Sequence, residues 1–304
     1  MSPTQILVPL FLCVFTGIAY GRWRKQKPDP LVSAVFDVFM PALVFDALVT
    51  ADVSLTDMAA TGLASFLIVL MLFGLCLLVR PCLPDRQAWP VRAFSLPVLF
   101  MNAGFLGIPL MNLAFGSAAV GRMVVFDQVQ SFMMFSLGIW IAAPRSSPSV
   151  IRGALRAFFG EPLIYAILAG VGCRLIGFAV PESLLRPIRF LGSATPALAL
   201  FALGLRLSAT PLAFLRDGFV LKRIVVILIL RFAGGLACGW VAASVLSLEG
   251  VTRTVVMVAS GLPSAVFSYI LAERYNAEPD LAAAAVFSST ILSIPLLPVL
   301  LGIG

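Results

Sequence analysis

The stretch 100-FMNAGFLGIPLMNLAFG-116 places helix-breaking residues inside a run that is otherwise apolar enough to cross a membrane. Gly107 and Pro109 lie near its middle, and Asn102 precedes them. Proline removes a backbone hydrogen bond and clashes with the carbonyl one turn earlier, while glycine allows the chain to unwind. Because unpaired backbone groups are costly in hydrocarbon, such a break persists only where protein or water supplies partners. The stretch predicts an interrupted helix beside a cavity.

The composition is that of an integral membrane protein. Of the 304 residues, 61% are hydrophobic and 12% are charged, and the mean hydropathy is +1.05. Soluble domains carry about a quarter charged residues, so a soluble fold is excluded. The net charge of +7 is spread in small groups between apolar segments, which argues against a nucleic-acid partner and is typical of membrane orientation.

The chain lacks the residues of several classes of site. Its 5 cysteines have no metal-binding spacing and lie mostly in or beside apolar runs, so we predict buried hydrophobes rather than disulfides or a metal centre. With no histidine, an H-E-x-x-H zinc hydrolase and a Ser/His protease are excluded. We therefore expect no enzyme activity and no cofactor, other than Na⁺ or H⁺ as a coupling ion.

Charge, proline and glycine clusters divide the chain into ten apolar segments. They lie near residues 5–21, 31–50, 57–79, 92–115, 119–142, 161–179, 184–205, 219–247, 253–273 and 280–302. The first segment is read as a retained span, since its basic residues follow it rather than precede it as in a signal peptide. If the segments alternate in direction, fifteen basic residues lie on one side and five on the other. The positive-inside rule then places both termini outside the cytoplasm.

Two sequence matches indicate an internal duplication. "PALVFDAL" at Pro41 resembles "PALALFAL" at Pro196, an offset of 155 residues, and "GIP" at Gly107 resembles "GLP" at Gly261, an offset of 154. Five spans in each copy would invert the second copy. We predict a first repeat at 1–142, a short cytoplasmic linker at 143–160 and a second repeat at 161–304.

Both breaks lie about ten residues into their segments, near the middle of a ~30 Å hydrocarbon core. Paired broken helices from inverted repeats, meeting at mid-membrane, are how many secondary transporters build a site. Free N–H groups at half-helix N-termini favour a carboxylate. A tolerated proline kink would explain either break alone, but it explains two symmetric breaks less well.

Several stretches resemble the auxin efflux carrier family of membrane transporters, which includes plant auxin exporters and compact bacterial members. "NAGFLGIPL", residues 102–110, is similar to the fourth-span crossover of the family, and "GLPSAVFSYILAERYNAEPDLAAAAVFSSTILSIPLLPVL", residues 261–300, is similar to its last two spans. With "PALVF" and the Pro-Ala-Leu of the seventh segment, the resemblance covers nearly the whole chain. The short linker resembles the compact bacterial type, so auxin itself is in doubt as a substrate.

The resemblance implies an all-α fold of two inverted five-helix repeats, related to that of bile-acid transporters and antiporters. Spans 1, 2, 6 and 7 would form a scaffold, and spans 3–5 and 8–10 would form a mobile transport unit with crossed broken helices. It further implies a homodimer in the plasma membrane, the inner membrane of a bacterium. Small organic anions, such as an auxin-like monocarboxylate or malonate, would be exported or exchanged by an elevator mechanism.

The candidate substrate-binding residues surround the two breaks. They are Asn102, Gly104, Gly107, Pro109, Gln128, Gln130, Gly261, Pro263 and Ser264. Asp127, in the middle of the fifth segment, is the candidate coupling site, because an acid at that depth usually faces a cavity and would bind Na⁺ or carry H⁺. A structural hydrogen bond to broken-helix backbone is the alternative for Asp127. Arg231, inside the eighth segment, is expected to snorkel, to pair with a carboxylate or to bind the substrate anion.

Two other functions within membrane transport remain open. A cation/proton antiporter of related crossed-helix fold commonly has adjacent acids in span five, whereas Asp127 is followed by Gln128. A channel or receptor would tolerate broken helices but would not need alternating cavities.

Overall fold

The computed structural model describes residues 3–25, 28–50, 54–83, 90–142, 159–160, 162–210 and 212–303. Within these ranges the chain forms twelve helices and a short 3₁₀ segment at Leu212–Arg216. The helices are α1 (Pro3–Arg24), α2 (Asp29–Thr50), α3 (Leu55–Cys82), α4 (Val91–Leu99), α5 (Ala103–Phe115), α6 (Ser117–Ala142), α7 (Pro162–Leu175), α8 (Glu182–Ser208), α9 (Gly218–Val245), α10 (Gly250–Ser260), α11 (Val266–Arg274) and α12 (Pro279–Ile303). The predicted linker 143–160 lies outside the described residues except for Phe159 and Gly160.

Six of these helices are long and apolar enough to cross a membrane: α2, α3, α6, α8, α9 and α12. This confirms the prediction of an all-helical membrane protein. Local signals set several helix starts. The Ser54 hydroxyl accepts a hydrogen bond from Asp57 N at 3.0 Å before α3, and the Asp217 carboxylate accepts from Phe219 N and Val220 N before α9. Such caps pair the free N–H groups of a first turn.

Helices α1 and α8 pack backbone against backbone. A Cβ atom on Gly204 would overlap the Val14 carbonyl, and one on Gly17 would overlap the Phe201 carbonyl. Small residues allow this close approach, which is the usual basis of helix association in a bilayer.

Two ion pairs with buried arginines tie helices together near their ends. Arg122, in α6, donates to the Asp57 carboxylate of α3 at 2.6 Å, and Arg223, in α9, donates to Glu278, just before α12, at 2.5 Å. Both arginine side chains are buried, at 9% and 8% exposure. Each pair joins two helices that flank a broken one.

Both predicted interruptions are present. The first separates α4 from α5 at Phe100–Asn102, and the second separates α10 from α11 at residues 261–265. The first break lies upstream of the position that Gly107 and Pro109 indicated. Gly107 ends a wide turn of α5, and Pro109 follows in the first turn of its regular part, where a missing N–H is tolerated.

Candidate functional site

The two interrupted segments cross as a short antiparallel pair. Asn102 N donates to Pro263 O at 2.8 Å, and Ala265 N donates to Phe100 O at 2.8 Å. Met101 and Ser264 face each other in this crossing. Each break therefore supplies partners for the other, which meets the requirement that backbone at membrane depth be hydrogen-bonded.

Gln130 completes the crossing from α6. Its Oε1 accepts from Met101 N at 2.8 Å, and its Nε2 donates to Met101 O at 2.7 Å. Gln130 is 2% exposed. Its buried amide therefore hydrogen-bonds both the N–H and the C=O group of Met101, within the first break. A glutamine side chain has one acceptor and donor hydrogens on the same planar group, which suits this task.

Serine side chains satisfy the last carbonyls of α4. Ser264 Oγ donates to Pro97 O at 2.6 Å, and Ser268 Oγ donates to Leu96 O at 3.0 Å. Ser264 N donates in turn to Ser289 Oγ at 3.1 Å. The final turn of a helix leaves unpaired carbonyls, and the second broken helix supplies their donors here.

Arg231 lies at the ends of both half-helices that run into the crossing. Its guanidinium donates to Val98 O, in the last turn of α4, and to Ser260 O, the last residue of α10, the latter at 2.6 Å. The side chain is fully buried. It thus caps two helix C-termini and does not face the pocket described next.

A pocket lies where the two half-helices that leave the crossing begin. Its walls include the first residues of α5 and of α11, and Phe36 and Leu163 from α2 and α7. Helix α6 contributes Asp127, Gln128, Gln130 and Ser131. The cavity volume is about 40 Å³, so the pocket is narrow in this conformation. Two helix N-termini and one acid therefore share a small cavity.

Asn102 immediately precedes α5 and lines this pocket. Its backbone carbonyl accepts from Leu106 N and Gly107 N, at 3.3 and 3.0 Å. Its side chain is 2% exposed and does not cap the helix, and Nδ2 has no hydrogen-bond partner among the described residues. A buried amide donor without a partner is uncommon, and this one belongs to a pocket wall.

Asp127 lies against the first turn of α5. A Cβ atom built on Gly104 would be 3.5 Å from Asp127 Oδ1. Gln128 Nε2 is 3.5 Å from Asp127 Oδ2, and the Asp127 side chain is only 7% exposed. A buried carboxylate near a helix N-terminus is favoured by the helix dipole.

Three aromatic rings also border the pocket, and sequence reasoning did not single them out. Phe36 packs edge-on against Phe105 at 4.7 Å between ring centroids and against Phe267 at 5.9 Å. Phe105 and Phe267 lie in the first turns of α5 and α11. Because Phe105 and Phe267 come just after the two breaks, the sequence could have indicated them as site residues. Nothing in the sequence indicated that Phe36 would pack against them.

The structure divides the predicted site residues into three groups. Those that line the pocket are Asn102, Gly104, Asp127, Gln128 and Gln130. Pro263 and Ser264 lie in the crossing and bond to the other broken helix. Gly107, Pro109 and Gly261 are packed away from the pocket; a Cβ atom on Gly107 would meet Leu262 and Met123, and one on Gly261 would meet Leu300.

Comparisons with known proteins relate this chain to membrane transporters. The profile of a family described as "Membrane transport protein" matches residues 4–301. An "Uncharacterized transporter" of Methanothermobacter thermautotrophicus is 28% identical over 310 residues, which cover 98% of this chain and 97% of that protein. A "Putative malonate transporter" of Rhizobium meliloti is 25% identical, covering 96% and 92%. "Auxin efflux carrier component 1" of Arabidopsis thaliana is 28% identical over 145 residues, covering 46% and 23%.

Proposed function

This chain belongs to the membrane transport protein family of the auxin efflux carriers, and on that premise we propose that it is a secondary transporter of small organic anions. The proposed substrate is a monocarboxylate or a dicarboxylate such as malonate. The name of the Rhizobium meliloti relative supports the latter class. The substrate binds in the pocket at the crossing and is exported or exchanged.

The observation that carries this proposal is the convergence of two helix N-termini on one pocket with an unpaired amide donor. The starts of α5 and α11 both contribute to the wall, and Asn102 Nδ2 is buried there without a partner. Each helix N-terminus carries roughly half a positive charge and free N–H groups. A carboxylate would accept hydrogen bonds from these donors without any basic side chain.

The narrow volume and the aromatic rings bear on the size of the substrate. About 40 Å³ of open volume admits water rather than a bound carboxylate, so binding requires the pocket to widen. Phe36 is on α2, whereas Phe105 and Phe267 are on the half-helices. A shift of the crossing relative to α2 and α7 would open the space between these rings.

Such a shift is the elevator movement that we propose. In it, α1, α2, α7 and α8 form the scaffold, and the remaining helices form the transport unit. We propose an origin by inverted duplication of five spans from the two sequence matches. In each proposed repeat an ion pair joins the third and fifth spans, although the paired residues are not related by the offset of 154–155 residues. Asp57 of α3 pairs with Arg122 of α6, and Arg223 of α9 pairs with Glu278 before α12. The corresponding spans are thus joined by pairs with exchanged signs.

The proposal also covers the membrane, the oligomeric state and the orientation of the protein. It functions in a plasma membrane, the inner membrane of a bacterium, as a homodimer formed through the scaffold, with both termini outside the cytoplasm. The close α1–α8 packing supports a rigid scaffold.

Binding by the purified protein tests the function. A thermal-shift screen with malonate, other small carboxylates and indole-3-acetate, with and without Na⁺ and at two pH values, should give a saturable shift for at least one anion. Counterflow of the labelled anion in proteoliposomes should then saturate, which distinguishes a carrier from a channel. If no carboxylate binds and only Na⁺ or H⁺ moves, the chain is a cation/proton antiporter instead.

Asn102→Ala tests the site itself. Loss of a hydrogen bond to a charged group should weaken anion binding by roughly tenfold or more, since such bonds contribute about 1.5–3 kcal/mol. Asn112→Ala, in the same helix α5 and outside the pocket lining, is the matched control and should bind like the parent. Parental affinity in the Asn102 variant would contradict the assignment.

Asp127 is the proposed coupling site for Na⁺ or H⁺, because it borders the same pocket. The Asp127→Asn variant should still bind the anion but lose the dependence of uptake on the Na⁺ or H⁺ gradient. An unchanged dependence would remove Asp127 from the coupling mechanism.

A further inference from the structure

We infer that Arg231 is a positioning residue for anion binding, whose charge offsets the negative C-terminal ends of both α4 and α10. This inference rests on the proposed anion-binding function of the pocket. On this inference, Arg231 lies outside the pocket but keeps the electrostatic potential inside the pocket positive.

The contacts of Arg231 are the first support. The two hydrogen bonds described above join the guanidinium to Val98 O and Ser260 O, and these carbonyls belong to the two half-helices that end at the crossing. The planar guanidinium presents several donors in a fixed fork. One side chain therefore reaches both C-termini at once.

The charge balance is the second support. Arg231 is 0% exposed, and the ion pairs of the described residues do not include it. A buried charge is strongly unfavourable unless opposite charge compensates it. Each helix C-terminus carries roughly half a negative charge, so the two C-termini together match one guanidinium.

Glycines make room for this arrangement, which indicates that α9 is shaped around it. Gly235 follows Arg231 by one turn, and a Cβ atom there would overlap the guanidinium and Ser260 O. A Cβ atom on Gly239, one turn further, would overlap the Ser260 side chain. The end of α10 can therefore lie against α9 directly beside Arg231.

The compensation of the negative helix ends by Arg231 matters for the pocket because the negative end of α4 is close to the positive end of α5. Only Phe100–Asn102 separate the C-terminus of α4 from the N-terminus of α5, so Leu99 and Ala103 are at most ~13–14 Å apart over four extended steps of the chain. Without Arg231, the negative ends of α4 and α10 would cancel much of the positive field of α5 and α11 where water is excluded. With Arg231 present, the positive ends of α5 and α11 determine the sign of the electric field in the pocket.

Variants that separate charge from hydrogen bonding test the inference. Arg231→Lys keeps the charge, whereas Arg231→Gln keeps donors for the carbonyls but removes the charge. Binding of malonate and of indole-3-acetate would be measured by thermal shift and titration on purified protein, and initial rates would be measured in proteoliposomes. Size-exclusion elution would check folding, and Arg231→Met would replace the Gln variant if that protein is not recovered.

We expect Arg231→Lys to bind within about threefold of the parent and Arg231→Gln to bind roughly tenfold or more weakly, in keeping with helix-dipole effects at buried sites. The loss should appear mainly in KM. Equal affinity of the Gln variant and the parent, or equal losses in the Lys and Gln variants, would overturn the inference while leaving the proposed function intact. A parent protein that binds neither anion would overturn both.

Discussion

The two sides of the helix crossing differ in how completely their polar groups are paired. On the side where α4 and α10 end, Arg231, Ser264 and Ser268 donate to the terminal carbonyls of the half-helices. On the side where α5 and α11 begin, Asn102 Nδ2 has no partner among the described residues, and a pocket lies against the first turns. On one side the terminal carbonyls are paired, although Arg231 Nε lacks a partner among the described residues, and on the other side the Asn102 amide keeps a free donor beside the pocket.

This difference separates residues that maintain the break from residues that are free to bind a solute. A broken helix in a membrane requires partners for its exposed backbone, and the side where α4 and α10 end supplies them from side chains. The pocket side can then keep donors unpaired without losing the fold. Substitutions of side chains that hydrogen-bond the broken backbone, including Gln130 on the pocket wall, should therefore affect stability, and those of other pocket residues should affect binding.

The largest loss of stability is expected for Gln130→Ala. Met101 N would lose its hydrogen-bond partner, whereas Met101 O would keep the bond from Ala103 N. One buried unsatisfied donor at about 1–3 kcal/mol and one lost hydrogen bond at about 1 kcal/mol give about 2–4 kcal/mol. Thermal unfolding of the detergent-purified variant would measure the loss. Gln128→Ala, two residues away, is the control and should unfold close to the parent, since Gln128 makes no contact with Met101 in the described hydrogen bonds. Similar melting of both variants would mean that Gln130 does not maintain the crossing.

A smaller loss is expected for Ser264→Ala. This variant removes the hydrogen bond to Pro97 O and should destabilise the protein by about 1–2 kcal/mol. Ser131→Ala, on the pocket wall, should change stability by less than about 0.5 kcal/mol. The same thermal assay compares the two, and a reversed order would contradict the distinction between the sides.

The smallest effect on stability is expected for Gly104→Ala, although this variant should impair binding. Its Cβ atom would be 3.4 Å from the Phe36 ring and 3.5 Å from Asp127 Oδ1, which is ordinary contact, so stability should change by no more than about 1 kcal/mol. The added methyl group narrows the pocket and should weaken anion binding roughly tenfold.

The matched control for this variant is Gly74→Ala, where no atom lies within 4 Å of the new Cβ position. Titration with the anion found in the screen would compare the two alanine variants. Unimpaired binding by Gly104→Ala would show that the solute does not enter the pocket near α5.

Much of the fold was predictable from particular residues. The apolar runs predicted the helices, and the two Gly-x-Pro motifs predicted that two of those helices are broken. The exact position of the first break was not predictable, because Pro109 is accommodated inside α5, directly after the wide turn Ala103–Gly107 and at the start of the regular part of the helix. That break forms at Phe100–Asn102, where Gln130 and the second broken segment supply hydrogen bonds. The ten-span inverted repeat stays a prediction.

The candidate site was predictable only in part. Asn102 and Asp127 were selected by their depth and chemistry, and the structure brings both to one pocket. For Ser264, sequence reasoning suggested a place at the site, but in the structure its hydroxyl donates to Pro97 O and its backbone N–H donates to Ser289 Oγ. Arg231 was expected to bind an anion or a carboxylate, and its partners are carbonyls of α4 and α10.

The sequence by itself determined that this protein lies in a membrane, that its helices are broken in two places, and that it belongs to a transporter family. These properties depend on hydrophobicity, on proline and glycine, and on motifs, all of which are local along the chain. Tertiary structure alone decided which residues pair across the crossing and which donors stay free. Those choices depend on contacts such as Gln130 with Met101 and Arg231 with Val98, whose partners are far apart in sequence and cannot be inferred from local pattern.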